Sequence, residues 1–392
     1  MYQNRGLRQL SLPVTGKRCY IEGMDDSNTF QDDDEKPLRY GWTTGACATA
    51  AAKAAFQALI TGNFPYPVEI RLPKGKTPAF DLAESKLGDG FATAAIIKDA
   101  GDDPDVTHGA TIEARVQWGA DEGIVFKAGE GVGTVTKPGL LLAVGEPAIN
   151  PAPRQMIIDN LSEIATTHKS ALNVEVTISV RNGEALAQKT WNGRLGIVGG
   201  LSILGTTGIV VPYSCSAWIA SIRQVIDVGR AAGLKHMAAT TGSTSEKTVS
   251  KIYGFDETSI IDMGDFAGGA LKYLRDNPVP RITLAGGFGK LAKLAAGHLD
   301  LHSKRSQVDM EFLAGLAKNA GASSKIIQEI EATETAAQAL LVAKREDVSL
   351  GDTVAARARD TALGEVNDAI DIEVIVIDRA GIPVGRAGFS KP

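Results

Sequence analysis

The chain has 392 residues, 44% of them hydrophobic and 22% charged, with 41 basic against 46 acidic side chains and a net charge of −5. That length holds two domains of ordinary size, and the charge excludes nucleic-acid binding through an overall positive field, so an anionic ligand must meet a local basic patch. No run of about 18 apolar residues occurs and no apolar stretch follows Arg5 and Arg8, so a membrane span is not expected and a cytoplasmic location is.

Residues 1–37 are polar, with acids clustered from Asp25 to Glu35, and read as a poorly ordered tail. Thr43 or Thr44 is then placed to cap an alanine-rich helix that stops at Gly62. Its first amides are open to an anion, and a plain core helix satisfies the same pattern. Cys47 near its start reads either as a thiol of lowered pKa or as a small buried residue. With Cys19 and Cys215 it makes three cysteines without paired spacing, which excludes a zinc ribbon. Strands are expected over 68–72, 91–97, 111–118 and 173–180, with a weaker one over 79–87.

The strand over 91–97 runs into Asp99, Asp102, Asp103 and Asp105. Their spacing lacks the order and closing glutamate of a calcium loop, so turn-forming or ligand-contacting aspartates are the reading. The glycines from Gly129 to Gly139 look like a dinucleotide fingerprint, but Pro138 and Gly139 stand where its helix should begin. Asn150 and Pro151 open a helix to about residue 167. Residues 184–190 are expected to return as a hairpin about Asn182 and Gly183. Trp191 to Arg194 form a junction between an α+β N-terminal domain over 38–193 and an α/β domain over 194–392.

The C-terminal part repeats one unit of strand, glycine loop and helix. Ser214 is placed to cap a helix whose Trp218, Ile219, Ile222, Val225 and Ile226 share one face, with Gly233 as its stop. Met237, Ala238 and Ala239 lead into Thr240, Thr241 and Gly242. Residues 259–263 lead into Gly264 and Asp265, and residues 281–284 into Gly286, Gly287 and Lys290. Sheets of this kind bind ligands at the carboxyl ends of their strands. These loops, with Gly205, Thr206, Thr207 and Gly208 upstream, are therefore candidate ligand loops; the alternative is that their glycines only make tight turns. Helices follow over 291–299, 308–317, 324–343 and 353–363, and a last strand over 372–377.

Several chemistries fail on spacing. A nucleotide P-loop ending at Lys290 would need glycine at Leu284 and a hydroxyl at Leu291. Gly287 to Ala292 fits G-x-G-x-x-A without an acid at the end of the next strand, so an NAD-dependent oxidoreductase stays an alternative only. His298 and His302 stand four apart, on one face of a helix, but Leu299 replaces the glutamate of a zinc protease; hydrogen-bonded or substrate-facing histidines are the reading, and no metal is assigned.

Eight blocks, in order, resemble one family, the cobalt-precorrin-5B C1-methyltransferases (CbiD). They are GWTTGACATAAAKAA from Gly41, IIKDAGDDPDVTHGA from Ile96, GEGVGTVTKPGL from Gly129, GEPAINPAPRQMI from Gly145, GTTGIVVPYSCSAW from Gly205, TTGSTSEK from Thr240, MGDF from Met263 and AGGFGKLAKLAAGHLDLHS from Ala285. The resemblance implies methyl transfer from S-adenosylmethionine to carbon 1 of cobalt-precorrin-5B, giving cobalt-precorrin-6A in cobalamin biosynthesis, with cobalt only as part of the substrate. It implies a two-domain α/β architecture whose Rossmann-like C-terminal domain is not a class I methyltransferase; the E/D-x-G-x-G-x-G string of that class is absent. TGSTSE stands where the family more often has a second glycine and an arginine.

On that reading Gly205, Thr206, Thr207, Gly208, Thr241, Gly242, Glu246, Gly264, Asp265, Gly286 and Gly287 line the cofactor site, with Asp265 or Glu246 on the ribose hydroxyls or the ammonium. Lys98, Lys137, Arg154 and Lys290 meet the substrate carboxylates, and His108, His298 or His302 removes a proton. The partner is a precorrin small molecule, with no nucleic acid and no membrane. A non-catalytic corrinoid carrier is the alternative from another class.

Overall fold

A computed structural model describes residues 37–390; the tail expected over 1–37 lies, but for Pro37, outside the described residues. After β1 (Gly41–Trp42) comes α1 (Thr44–Thr61). Thr43 caps it by accepting from the Ala46 amide, and Gly62 ends it in the left-handed region at φ 77°. Its alanines are buried and let the backbone approach closely: a Cβ on Gly45 would come within 2.7 Å of Pro153.

Next come β2 (Val68–Glu69), β3 (Ala79–Phe80), β4 (Glu84–Gly88), β5 (Phe91–Ile97), β6 (Thr111–Trp118), β7 (Ile124–Ala128), β8 (Thr134–Val135), α2 (Pro151–His168), β9 (Val174–Val180) and α3 (Gly183–Ala187). A five-stranded sheet forms in the order β4-β5-β6-β9-β7. Its pairs are antiparallel except β7 with β9. β9 alternates buried with half-buried residues along its length, so one face lies on α1 and α2 and the other is open.

Two expectations fail here. Only Val68 and Glu69 of the strand over 68–72 keep regular ladder pairing; the chain turns back at Gly75, and the buried Ile70 and Leu72 donate from their amides to the Pro78 and Lys76 carbonyls. The hairpin at Asn182 is instead α3, because Gly183 lies against the Gly131 backbone and the following Glu-Ala-Leu-Ala favours helix. β7 was not expected; it is a half-buried edge strand without alternation.

The C-terminal part holds β10 (Ile197–Val198), β11 (Ile209–Val210), α4 (Cys215–Ala231), β12 (His236–Thr240), α5 (Ser243–Tyr253), β13 (Ile260–Asp262), α6 (Ala267–Asp276), β14 (Arg281–Gly287), α7 (Phe288–Ala295), α8 (Met310–Asn319), α9 (Ser324–Glu331), α10 (Ala336–Arg345), α11 (Leu350–Glu365), β15 (Asp371–Ile377) and β16 (Pro383–Ala387). Ser214 caps α4 as expected. The single helix expected over 324–343 is two, because Thr335 and Gln338 form a capping box that starts α10 afresh. The sheet order is β13-β12-β14-β15-β16, with β12 to β15 parallel and β16 antiparallel at the edge.

From β12 the chain passes to β13 on one side and then to β14 on the other. α5 packs Val249 on Ala238, Ala285, Ile375 and Ile377 of one face. α6, α7 and α11 cover the other through Leu271, Leu291 and Ala358. The loops after β12 and β14 thus leave toward opposite faces, which opens a crevice between them.

The two parts are laced together around the expected junction at 193/194. Val135, Leu142 and Ala148 pack into the C-terminal core, while Leu201 and Ile203 pack into the N-terminal one. β8 pairs with β10 and β1 with β11, and the Leu201 and Ile203 amides donate to Gly131 and Ala148 carbonyls.

Candidate active site

The crevice at the carboxyl edge is floored by backbone bonds between loops. The Thr241 amide donates to Ala285, and those of Met263 and Gly264 to Thr240. Gly286 is needed where β14 passes Thr241, since a Cβ there would come within 2.7 Å of its side chain. Lys290, in the first turn of α7, reaches back over the crevice: its ammonium donates to the Thr241 carbonyl at 2.9 Å and lies 3.0 Å from Asp265 Oδ1. That oxygen is buried and no donor among the described residues is aligned with it, so Lys290 acts on it as a charge at close range and not as a directed hydrogen bond. Thr241, Gly242, Gly264, Asp265, Gly286, Gly287 and Lys290 are therefore brought together.

Glu246 is committed elsewhere. Both its oxygens accept from Arg194 Nη2 at 2.8 Å, and Arg194 Nη1 donates to the Ile260 carbonyl. It fastens the segment carrying Arg194 to α5. Gly205, Thr206, Thr207 and Gly208 are also placed apart from the crevice floor. They close over the start of α1, where Gly208 accepts from the Thr43 amide and Leu204 from the Gly45 amide. A Cβ on Gly205 would come within 2.3 Å of Thr43. The segment through Pro212 and α4 links this loop to the crevice, with Trp218 Nε1 donating to the Asp262 carbonyl at 3.2 Å.

Three of the four expected substrate cations are engaged inside the protein. Lys98 is 1% exposed and paired with Asp105 at 2.6 Å. Arg154 donates to Glu146 and to the Ile149 and Pro147 carbonyls, tying α2 to the segment before it. Lys137 donates to the buried Thr258 hydroxyl. The aspartates near Lys98 are likewise used: Asp99 and Asp102 hold Arg39, and Asp103 accepts from the Tyr213 amide at 2.7 Å. The Arg39 bond, with the Gly101 amide, holds the Asp99 carboxyl down to about 2. Among the described residues no group of His, Cys, Asp or Glu could hold a metal ion.

The histidines are distributed differently than their spacing implies. α7 ends at Ala295 and Gly297 takes φ 93°, so His298 and His302 do not share a helix face. His302 Nδ1 accepts from the Lys304 amide. Its neighbour Leu301 donates from its amide to the Asp265 carbonyl and accepts from Lys293, which brings this segment against the crevice. Burial pushes the Lys293 ammonium down. His108 is 55% exposed in the aspartate loop, its Nδ1 accepting from the Ala100 amide.

Asp262 was not singled out by the sequence reading. It ends β13, and its carboxyl is pushed up by burial first and by the Glu246 charge, against the pull of Arg194, the Gly264 amide and Lys290. Among the described residues it has no ion-pair partner. Beside it stands Trp218, 42% exposed and packed edge-on against Trp191 at 5.2 Å and near Phe266. The sequence did hold a signal: an acid about 20 residues after the first glycine loop, at the end of the next strand, is where dinucleotide-binding sheets hold ribose hydroxyls.

Residues 31–212 match the CbiD family, and residues 300–388 match the CbiD C-terminal domain. A relative from Paramagnetospirillum magneticum named cobalt-precorrin-5B C(1)-methyltransferase is 57% identical over 356 residues, covering 90% of this chain and 99% of that one. A relative of the same name from Brucella anthropi is 54% identical over 360 residues, covering 91% and 98%. A solved cobalamin biosynthesis protein (cbiD) from Archaeoglobus fulgidus is 30% identical, covers 68% of this chain and 83% of that one, and has a TM-score of 0.38. With more than half of the aligned residues identical to such relatives along nearly their whole length, the chain belongs to the cobalt-precorrin-5B C(1)-methyltransferase (CbiD) family.

Proposed function

We propose that this protein transfers the methyl group of S-adenosylmethionine to carbon 1 of cobalt-precorrin-5B, giving cobalt-precorrin-6A, in cobalamin biosynthesis. The observation that carries the reading is near-full-length identity to relatives of that name. The crevice supports it: its buried, unaligned Asp265 oxygen and its unpaired Asp262 fit a ligand that brings hydroxyls and an ammonium group. Cobalt belongs to the substrate.

The methyl donor supplies an electrophilic methyl on a sulfonium, and the chain's part is placement and exclusion of water. Asp262 accepts from the ribose hydroxyls in place of the expected Glu246. Asp265 and Lys290, a pair 3.0 Å apart, match the opposite charges of the donor's amino-acid end. Trp218, Trp191 and Phe266 wall the site on the α4 side. His302, on the segment held against Asp265, is the best placed of the three histidines to take a proton from the substrate.

The C-terminal sheet is read as a Rossmann-like, doubly wound domain outside class I, since β12 runs into Thr241-Gly242-Ser243 and not into a repeated glycine string. No helix among the described residues is long and apolar enough to cross a membrane. Incubation with labelled S-adenosylmethionine and precorrin-5B, with and without cobalt, tests the reading. One methyl on the macrocycle with equimolar S-adenosylhomocysteine is expected; folded protein that binds the macrocycle and transfers nothing is a carrier and refutes it.

A further inference from the structure

With Lys98, Lys137 and Arg154 engaged internally, the cations that face a cavity lie elsewhere. A groove of about 770 Å³ runs between α5 and the turn joining β15 to β16. Thr244, Lys247, Thr248 and Lys251 line one wall. They fall at i, i+3, i+4 and i+7, a single face of the helix. Arg379 stands on the other wall. No acid lines the groove, and Lys247, Lys251 and Arg379 enter no ion pair among the described residues. In a chain of net charge −5 this is a local concentration of positive charge.

The walls are fixed. Thr248 Oγ1 donates to the Gly381 carbonyl at 2.9 Å, and Asp378 Oδ1 accepts from the Ala380 and Ile382 amides. Gly381 has φ 82°, and a Cβ on it would press on Thr244 and Thr248 at 3.1 Å, so the turn seats on the helix only with glycine there. Ile252 and Ile382 are 41% and 60% exposed and add apolar surface to a basic cleft. The volume lies in the range of about 300–1,000 Å³ of small-molecule clefts.

The loops that bound the groove follow β12 and β15, the two strands flanking β14. Thr244 stands two residues beyond Gly242, so the groove opens on the same sheet edge as the crevice. Separated cations with apolar surface between them suit a large ring edged with carboxylates. We infer that this groove docks the acetate and propionate side chains of the tetrapyrrole, an inference resting on the methyltransferase reading above. Lys247, Lys251 and Arg379 supply the charge, and Thr244 and Thr248 flank it on the helix.

The test is direct titration with cobyrinic acid, a corrin with free carboxylates, and with the same ring fully esterified. S-adenosylhomocysteine binding is measured in parallel. The protein is compared with the triple variant Lys247→Ala, Lys251→Ala, Arg379→Ala. Expected are binding of the acid that weakens with added salt, at least about a tenfold loss in the triple variant, weak and variant-independent binding of the ester, and unchanged affinity for S-adenosylhomocysteine. Unchanged affinity of the variant for the acid overturns the assignment, as does an equal loss for the ester, an equal loss for S-adenosylhomocysteine, or no binding of the acid by the unsubstituted protein. The two readings separate cleanly. Methyl transfer with an indifferent triple variant removes the groove alone, whereas groove-dependent binding without transfer removes the transferase alone.

Discussion

Gly286 and Gly287 are neighbours with opposite reasons to be glycine. A methyl at 286 would sit 2.7 Å from both Cγ2 and Oγ1 of Thr241, a buried residue. Relieving such a contact in a packed interior costs about 1–3 kcal/mol. At roughly 2–4 °C per kcal/mol for a domain of this size, Gly286→Ala should lower the melting temperature by about 2–12 °C. The hard clash is with Thr241, Leu291 Cγ standing farther off at 3.3 Å, so Thr241→Ala combined with Gly286→Ala should recover most of the loss, a coupling that thermal unfolding of the four proteins reads directly. At Gly287 a Cβ meets nothing within 4 Å and the backbone is extended, so Gly287→Ala should leave the melting temperature within about 2 °C. If the donor's amino-acid end lies against this backbone, that methyl occupies its space, and affinity for S-adenosylhomocysteine should fall by about tenfold. Failure of Thr241→Ala to rescue Gly286→Ala would refute the steric account. Full affinity in Gly287→Ala would refute the placement of the donor.

Other outcomes follow from single side chains. Burial raises the Asp262 carboxyl, so the folded chain holds a proton the unfolded chain has released, and stability from this group falls as pH rises from the ordinary carboxylate range through the raised midpoint. Asp262→Asn should therefore melt higher than the unsubstituted protein at neutral pH, converge with it in acid, and bind S-adenosylhomocysteine more weakly; a variant of equal affinity would clear Asp262 of a ligand role. Burial pushes the Cys47 thiol up to about 12, so iodoacetamide at pH 8 should label Cys47 only after denaturation, and rapid labelling of the native protein would contradict its packing. His302→Ala should change the pH dependence of turnover while His108→Ala does not, and an identical profile in His302→Ala removes it as the base.

Local signals carried much of the fold. Thr43 and Gly62 mark the ends of α1, Ser214 starts α4, and the runs 91–97 and 111–118 form strands over the expected residues. Each depends on contacts within a few positions, which is what periodicity and capping report. The misreadings depend on distant partners. Asn182-Gly183 offered a hairpin turn, but Gly131, far back in the chain, takes the space beside Gly183. His298 and His302 have helical spacing beyond a helix that has already ended. Of the candidate site, the convergence of the loops after β12, β13 and β14 was legible because small residues at strand ends recur three times. Which carboxylate is left without an ion pair was not, because it turns on Arg194 engaging Glu246 across 52 positions.

The lacing of the two parts has a mechanical corollary. Severing the chain near residue 193 would strip Val135, Leu142 and Ala148 of their neighbours in one fragment and Leu201 and Ile203 in the other, so neither piece carries a finished interior. The same weave opposes a swing about residue 193, because parting the chain there would tear β8 from β10 and β1 from β11. With that hinge position closed, the pair of cores is one continuous mass at the seam, and give is left to side chains and surface turns.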